Sequence, residues 1–368
     1  MFKEEFGLRS LGFTCTRRFT TKICFSLFCV TALVVVYLFS GIGGARAEAP
    51  DLPVQATNKD DVYKHRLTLY KEISLLTNVP WYWLAALDQY ERSITPQKKI
   101  NKTTHRLTQI SFHDQQWEGA FNPNPSDRNP TTIAMFGGIG IDANADGKAD
   151  PNSDRDVLFA VATYLSKSGY KEDDIRISLW RYYQKDSAVR RIHQFAKIYK
   201  EYGQLSLTDS KFPLPLKSIY TFRDTWGARR GWGGLRIHEG TDIFAPHGTP
   251  VRSVCNGIIE TKGWNPYGGW RIGIRDLNNR YHYYAHLQGY NKKIEVGTIV
   301  EAGQVIGWVG SSGYGPKGTQ GKFAPHLHYG IYRDTGSQEW AFNPYPLLKQ
   351  WERLEKINLT KKKAETTR

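Results

Sequence analysis

The chain has 368 residues, enough for two domains of ordinary size with extensions. Its residues are 40% hydrophobic and 13% aromatic, which excludes a disordered protein. The net charge of +15 favours an anionic partner (nucleic acid, anionic lipid or an acidic polymer) or, alternatively, only a soluble basic surface. Cys255 is the one cysteine after residue 30, so a disulfide framework and a Cys-x-x-Cys zinc site are both excluded there. Histidines and carboxylates would have to hold any metal.

The N-terminus has the pattern of an export signal over residues 1–47. Basic residues precede an apolar run at 23–39, and Ala45 and Ala47 form an Ala-x-Ala-like cleavage site. The run has about 17 residues, at the edge of membrane-spanning length, so a cleaved signal peptide and a retained membrane helix both stay open. Either alternative places the residues after 48 outside the membrane, which predicts an extracytoplasmic protein that is secreted or anchored.

A polar tether is predicted at 48–60, and a helical domain follows at 61–204. Apolar residues recur there at helical spacing, as in Val189, Ile192 and Phe195. Pro80 suits the first turn of a helix that continues to Glu91. This region therefore predicts an all-α domain.

The pattern changes after a proline-containing linker at 205–216. Over 217–348 glycine becomes frequent and apolar residues alternate, as at 270–274 and 281–286. Alternation predicts an all-β domain of short antiparallel strands. A basic tail at 349–368 ends the chain, so the whole is a multidomain α and β protein.

Six of the ten histidines fall between His238 and His328. Asp242 follows His238 by four residues, and Gly240 between them allows a sharp turn. His326 and His328 share one face of a predicted strand, with Cβ atoms about 7 Å apart. This distance favours one metal ligand with one neighbour beside the metal, rather than two ligands.

These motifs resemble the lysostaphin/LytM-type zinc endopeptidases over residues 217–348. The motifs that carry the resemblance are His238-Glu-Gly-Thr-Asp242, Pro246-His-Gly-Thr-Pro250, Gly257-Ile-Ile, Tyr267-Gly-Gly, Tyr284-Ala-His286-Leu, Gly303-Gln-Val-Ile-Gly307 and His326-Leu-His328-Tyr. The resemblance implies that His238, Asp242 and His328 bind zinc and that His286 and His326 are catalytic. It leaves open how the two catalytic histidines divide the tasks of general base and oxyanion stabilisation.

The resemblance also implies a function and its partners. A peptide bond in the stem or cross-link peptide of peptidoglycan would be hydrolysed, with anionic wall polymers as further partners and no role for nucleic acid. A likeness to the L-Ala–D-Glu endopeptidases of sporulation implies that bond and a Gram-positive source. Two alternatives remain: a non-catalytic scaffold that regulates wall hydrolysis at the membrane, and a zinc protease of protein substrates.

A second resemblance concerns the helical domain. Residues 83–91 are similar to the catalytic-glutamate helix of lysozyme-like lytic transglycosylases, and 140–165 to their aspartate-rich loop and next helix. The likeness implies a domain that binds or cleaves glycan, with Glu91 as catalytic acid and Asp114 and Glu118 as secondary acids. The family's Gly-x-Met-Gly-x-x-Gln stretch is not found. From the residues alone, Leu84 and Leu87 share a helical stripe with Glu91, which would raise the pKa of its carboxyl. The alternative, which the residues alone favour, is a helix-terminal glutamate that bends back to water.

The aspartate-rich loop also follows a calcium-loop register. Position 6 is Gly147, and position 12 is Ser153 instead of a bidentate glutamate. Such a Ca²⁺ site would be weak, or completed by Asp154 or Asp156, and a metal-free aspartate-rich turn is the alternative. The ligand-type residues at positions 1, 3, 5 and 9 are Asp142, Asn144, Asp146 and Asp150.

Overall fold

The structure, a computed structural model, describes residues 59–96 and 106–366. The predicted signal peptide or membrane helix at 23–39 lies outside these residues, as does the predicted tether apart from its last two positions. Within the described ranges, no helix combines the length and apolar character needed to cross a membrane.

Seven helices precede the first strand in the described part of the chain. They are α1 (Lys59–Thr77), α2 (Trp81–Ile94), α3 (Asp114–Trp117), α4 (Pro130–Met135), α5 (Asp154–Ser166), α6 (Glu172–Tyr183) and α7 (Asp186–Tyr202). Pro80 immediately precedes α2, as its fixed φ favours, and the Ser153 side chain caps α5. Helix α2 packs against α7 and buries Leu84 and Leu87 in the helical core.

Twelve strands and a final helix follow. They are β1 (Thr221–Phe222), β2 (Arg229–Arg230), β3 (Arg236–Ile237), β4 (Thr241–Phe244), β5 (Pro250–Arg252), β6 (Gly257–Asn265), β7 (Gly269–Asp276), β8 (Arg280–Tyr290), β9 (Ile299–Val300), β10 (Val305–Val309), β11 (His326–Asp334), β12 (Glu339–Ala341) and α8 (Tyr345–Thr366). The main sheet has the order β1-β4-β11-β8-β7-β6-β9. Strand β10 pairs with β5 and β8, and β12 pairs with β11. Every strand pairing among the described residues is antiparallel, as the sequence predicts.

The helical and β regions are in direct contact. Arg191 of α7 pairs with Glu260 of β6 at 2.6 Å and with Asp334 at the end of β11 at 3.2 Å. The apolar core of the helices continues into Ile258 and Leu277 of the β region. A buried cation and shared apolar residues therefore join the two regions.

The predicted linker and basic tail are both packed against the sheet. Phe212 and Leu214, between 205 and 216, are fully buried in the core of the β region. In the tail, α8 buries Leu348 and Trp351 in the same core. Apolar side chains beside the two prolines of the predicted linker are therefore used for packing.

Candidate metal centre

Three neighbouring strands, β4, β11 and β8, carry the predicted site. In the register of β4 and β11, His328 is paired with Asp242. In the register of β11 and β8, it is paired with Ala285, the residue before His286. Paired residues on antiparallel strands have Cβ atoms about 4.5–5.5 Å apart. The sheet therefore brings together residues that are more than 80 positions apart in sequence, and His238 joins them from the segment between β3 and β4.

Three ligand-type atoms meet at one point. Nε2 of His238 lies 2.8 Å from Nδ1 of His328 and 3.0 Å from Oδ1 of Asp242. Nδ1 of His328 lies 3.1 Å from the same oxygen. Two ligands of a tetrahedral zinc, with bonds of about 2.0–2.1 Å, are separated by about 3.3 Å. Two imidazoles and one carboxylate at this spacing fit zinc, and they leave one side open for water or substrate.

Neighbouring groups hold the ligands in the orientation that binding requires. The Nδ1–H of His238 donates to the carbonyl oxygen of Thr225 at 2.7 Å, which leaves Nε2 unprotonated in the neutral ring. The Thr225 hydroxyl accepts the backbone N–H of Asp242 at 3.1 Å. Arg230 binds Oδ2 of Asp242 at 2.5 Å, so Oδ1 is the oxygen turned toward the histidines.

Gly240 has a different role from the predicted one. Its φ is not among the positive values, so no left-handed turn depends on it. A Cβ at this position would lie 2.5 Å from Cε1 of His328. Glycine is therefore required because the His328 ring lies directly against the backbone.

His286 and His326 lie beside the three ligand-type residues. Their ring centroids are 4.8 Å apart, and that of His286 is 5.9 Å from the His328 ring. Each donates its Nδ1–H to a backbone carbonyl at 2.8 Å, Ser312 for His286 and Ala324 for His326. Nε2 of both neutral rings is therefore left free to accept a proton.

Burial sets the protonation of this cluster. It lowers the pKa of His286 well below the ordinary value, and the His326 and His328 rings add to the effect. It lowers the pKa of His326 too, although the Asp242 carboxylate acts in the opposite direction. For Asp242, burial acts to raise the pKa, but the neighbouring imidazoles of His238 and His328 overcome this and hold it far below its usual range. Neutral imidazoles beside one carboxylate are the protonation state that metal binding needs.

The five residues line a groove of about 640 Å³. The glycine-rich loop that begins at Gly310 was open to two interpretations, a groove wall or a plain solvent loop. Tyr314 of this loop lines the groove, and its ring stacks on Trp232 with centroids 4.9 Å apart. Phe323 contacts His286 from the same side. The loop is thus part of the groove.

Sequence reasoning missed several contributors to the site. Thr225 acts through its backbone carbonyl, which no side-chain pattern reveals. Arg230 belongs to an arginine pair on β2 that resembles any solvent-exposed charge run, and only the fold places it against Asp242. The carbonyl of Ser312 likewise depends on the conformation of its loop.

Glu91 lies inside α2 instead of at its end, because the helix continues to Ile94. Its carboxylate accepts a short hydrogen bond from the Tyr183 hydroxyl. Burial raises the pKa of Glu91 to about 7, with the Tyr183 bond acting to lower it and the Asp88 charge adding to the rise. The predicted increase in pKa therefore agrees with the structure, and the alternative of a helix-terminal glutamate does not.

The environment of α2 bears on a glycan site at Glu91. Gln89 donates from Nε2 to the carbonyl of Leu277 in the β region at 2.7 Å. A Cβ on Gly336, in the turn between β11 and β12, would lie 3.3 Å from the Tyr90 hydroxyl. Gln89 and Tyr90, the two residues before Glu91, thus both contact the β region. Of the secondary acids, Glu118 is buried and paired with Arg128 at 2.9 Å, and Asp114 is exposed.

The calcium prediction has no support in the geometry. The loop carboxylates accept backbone N–H groups: Asp142 from Asp146 and Gly147, and Asp150 from Asn152. Asp156 is buried and accepts from Ala143 and Asp150, while Ser153 caps α5. The aspartates therefore stabilise the loop through hydrogen bonds, as in a metal-free turn.

A second group of metal-type residues is buried in the β core: Cys255, Asp276 and His282. Both ring nitrogens of His282 are used, one with Asp276 at 3.1 Å and one with the Tyr329 hydroxyl at 2.7 Å. We interpret this group as a buried hydrogen-bonded cluster. His247 is exposed.

The fold and site are those of a metallopeptidase domain, and comparison with known proteins gives its family. The profile of Peptidase family M23 matches residues 236–344. Over 296 residues the chain is 53% identical to the L-Ala–D-Glu endopeptidase of Bacillus subtilis, which covers 80% of this chain and 91% of that protein. The chain therefore belongs to peptidase family M23. The predicted family is confirmed.

Other relatives match the β region. Lysostaphin of Staphylococcus simulans is 42% identical over 120 residues, 32% of this chain and 22% of that protein. The crystal structure of its catalytic domain is 34% identical, with a TM-score of 0.29, covering 36% of this chain and 92% of that one. The Bacillus subtilis match is too long for the β region alone and must include helical residues. The predicted likeness of the helical domain to lytic transglycosylases gains no support from these comparisons.

Proposed function

We propose that this chain is a zinc-dependent peptidoglycan endopeptidase that cleaves the L-Ala–D-Glu bond of the stem peptide. The observation that carries the proposal is the triangle of His238, Asp242 and His328, with His286 and His326 beside it in one groove. The bond is taken from the Bacillus subtilis relative, whose name states it and which spans most of the chain. The scaffold alternative is weaker, because all five residues are present and oriented.

The residues have defined tasks in this mechanism. Bound zinc would supply a Lewis acid for the scissile carbonyl and lower the pKa of the attacking water. His286 and His326 each present a free Nε2, so either ring can accept the water proton. The resulting imidazolium can then donate that proton to the leaving amine nitrogen. The other ring and the aromatic walls position the substrate and exclude bulk water, while Asp242 would hold the metal with His238 and His328.

Substitution of His286 tests the proposal. His286→Ala should abolish release of stem-peptide products from purified peptidoglycan, measured by mass spectrometry, with zinc content retained. His247→Ala is the matched control, since it removes an exposed imidazole of the same domain and should leave the activity unchanged. Product release by the His286→Ala variant at the wild-type rate would refute the proposed role. A pure scaffold would carry no stoichiometric zinc.

The helical domain supports a second, separate proposal of glycan binding or cleavage. The supporting observation is Glu91, whose pKa near 7 suits a general acid. An anhydro-sugar product that disappears in Glu91→Gln would support transglycosylation. Intact glycan with retained binding to peptidoglycan would make the domain a binding module. If the domain neither cleaved glycan nor bound peptidoglycan, this second proposal would be excluded.

Location and further partners follow from the same proposal. An enzyme acting on peptidoglycan works outside the cytoplasm, in agreement with the export pattern of residues 1–47. The excess of basic residues favours contact with anionic wall polymers. Membrane anchoring depends on whether the segment 23–39 is retained, which N-terminal sequencing of the mature protein would show.

A further inference from the structure

Two arginines line the groove and form no ion pair with any carboxylate in the described part of the chain. Arg236 lies on β3 and Arg271 on β7. The Nε of each is buried and lacks a hydrogen-bond partner among the described residues, and neither guanidinium forms an ion pair there. An anion bound in the groove would therefore meet two half-buried positive charges that no described carboxylate pairs.

The acidic residues of the groove do not neutralise these charges. Glu339 pairs with Arg275 at 2.8 Å. Glu239 lies 3.4 Å from the Tyr332 hydroxyl. The third groove arginine, Arg230, is already bound to Asp242. The positive charges of Arg236 and Arg271 are therefore available to a ligand.

Tyr283 connects the two arginines to the metal centre. Its ring meets the His328 ring edge-on with centroids 5.9 Å apart. Burial raises the pKa of its hydroxyl to about 12, and the Arg271 and Arg236 charges act to lower it. A Cβ on Gly268 would lie 2.1 Å from the same oxygen, so the hydroxyl is held against the backbone. The charges of Arg236 and Arg271 thus act at the hydroxyl of Tyr283, whose ring contacts His328, a proposed zinc ligand.

Packing fixes the orientation of Arg236. Its guanidinium lies over the Tyr267 ring, with Cζ 5.0 Å from the centroid. A planar guanidinium held in this way loses little entropy when it binds a carboxylate through two parallel hydrogen bonds. The arrangement is preorganised for a carboxylate rather than for a neutral amide, which would leave the two cations unpaired.

We infer that Arg236, Arg271 and the Tyr283 hydroxyl form a subsite for the free carboxylate of the D-Glu residue beside the scissile bond. A glutamate within a peptide chain uses its amino group and one carboxyl in the chain, so its other carboxyl stays charged unless it is amidated. The inference rests on the proposed function. It adds that the enzyme distinguishes acidic from amidated stem peptides.

A pair of synthetic stem peptides tests this inference. They are identical except that the free carboxyl of D-Glu is an acid in one and an amide in the other. The wild-type enzyme should cleave the acid with a kcat/KM about 10- to 100-fold higher, the range expected for a buried charge-assisted contact. The double variant Arg236→Gln/Arg271→Gln should lose this preference through slower cleavage of the acid.

Controls separate the subsite from the catalytic reaction. Arg229→Gln removes an equal charge from an exposed residue of β2 outside the groove and should keep the preference. Equal cleavage of both peptides by the wild type would refute the subsite and leave the proposed function intact, and this comparison needs no variant. Retention of the wild-type preference by a folded, zinc-containing double variant would also refute it. Cleavage of neither peptide would instead refute the proposed bond.

Discussion

Replacement of Arg191 by alanine should strongly destabilise the protein. Its side chain is 6% exposed and contacts Glu260 at 2.6 Å and Asp334 at 3.2 Å. Removing one member of a buried ion pair costs about 3–5 kcal/mol, because the remaining charge is left buried and unpaired. Glu260 keeps Arg275 at 2.8 Å, whereas Asp334 loses its cation. We therefore expect the lower end of the range, a decrease of about 3 kcal/mol in the free energy of unfolding.

Urea unfolding followed by tryptophan fluorescence measures this change. The matched control is Arg190→Ala, the preceding residue, whose exposed side chain pairs with Asp186 at 3.6 Å. An exposed pair of this kind contributes about 0.3–0.5 kcal/mol. If Arg191→Ala shifted the unfolding free energy no more than Arg190→Ala, the buried network would not stabilise the junction and the reasoning would be wrong.

Three further substitutions probe the site and the helical domain. Gly240→Ala should displace the His328 ring, so that bound zinc, measured by plasma mass spectrometry, is lost while the circular dichroism spectrum is kept. Arg230→Gln frees one oxygen of Asp242 and should weaken zinc binding about 10- to 100-fold in a chelator competition assay; unchanged affinity would exclude the orienting role. Because the folded-state pKa of Glu91 is raised to about 7, its carboxyl binds a proton more tightly in the folded than in the unfolded protein. Stability should therefore fall as pH rises from about 4.5 to about 7, by at most about 3 kcal/mol, and Glu91→Gln should remove this dependence in urea titrations at several pH values.

The local part of the site could be predicted from the sequence. The spacing of His326 and His328 along one face of a strand predicts that only one of them is a ligand. Of these two histidines, only His328 lies 3.1 Å from Oδ1 of Asp242, and Nε2 of His326 is at 3.7 Å. The raised pKa of Glu91 could likewise be expected from its position on the apolar stripe of α2. Both inferences need only the periodicity of one strand or one helix.

The remaining features depend on contacts between distant segments. The register that pairs Asp242 with His328 joins strands far apart in the chain, and no local pattern specifies it. The role of Gly240 depends on the His328 ring, which belongs to the distant strand β11. The local sequence offers only a sharp turn as the reason for this glycine. The burial of Phe212 also could not be predicted, because a nearby proline marks a change of direction and does not show whether its neighbours are buried.

The proposed zinc-dependent cleavage is tested most directly by one digestion experiment with metal exchange. Purified peptidoglycan is incubated with the zinc-loaded enzyme, the chelator-treated enzyme and the chelator-treated enzyme after zinc is returned, and the products are sequenced by mass spectrometry. We predict peptides with a new amino terminus at D-Glu in the first and third reactions and none in the second. The same products from an enzyme shown to be free of metal, or cleavage confined to glycan bonds, would contradict the proposal.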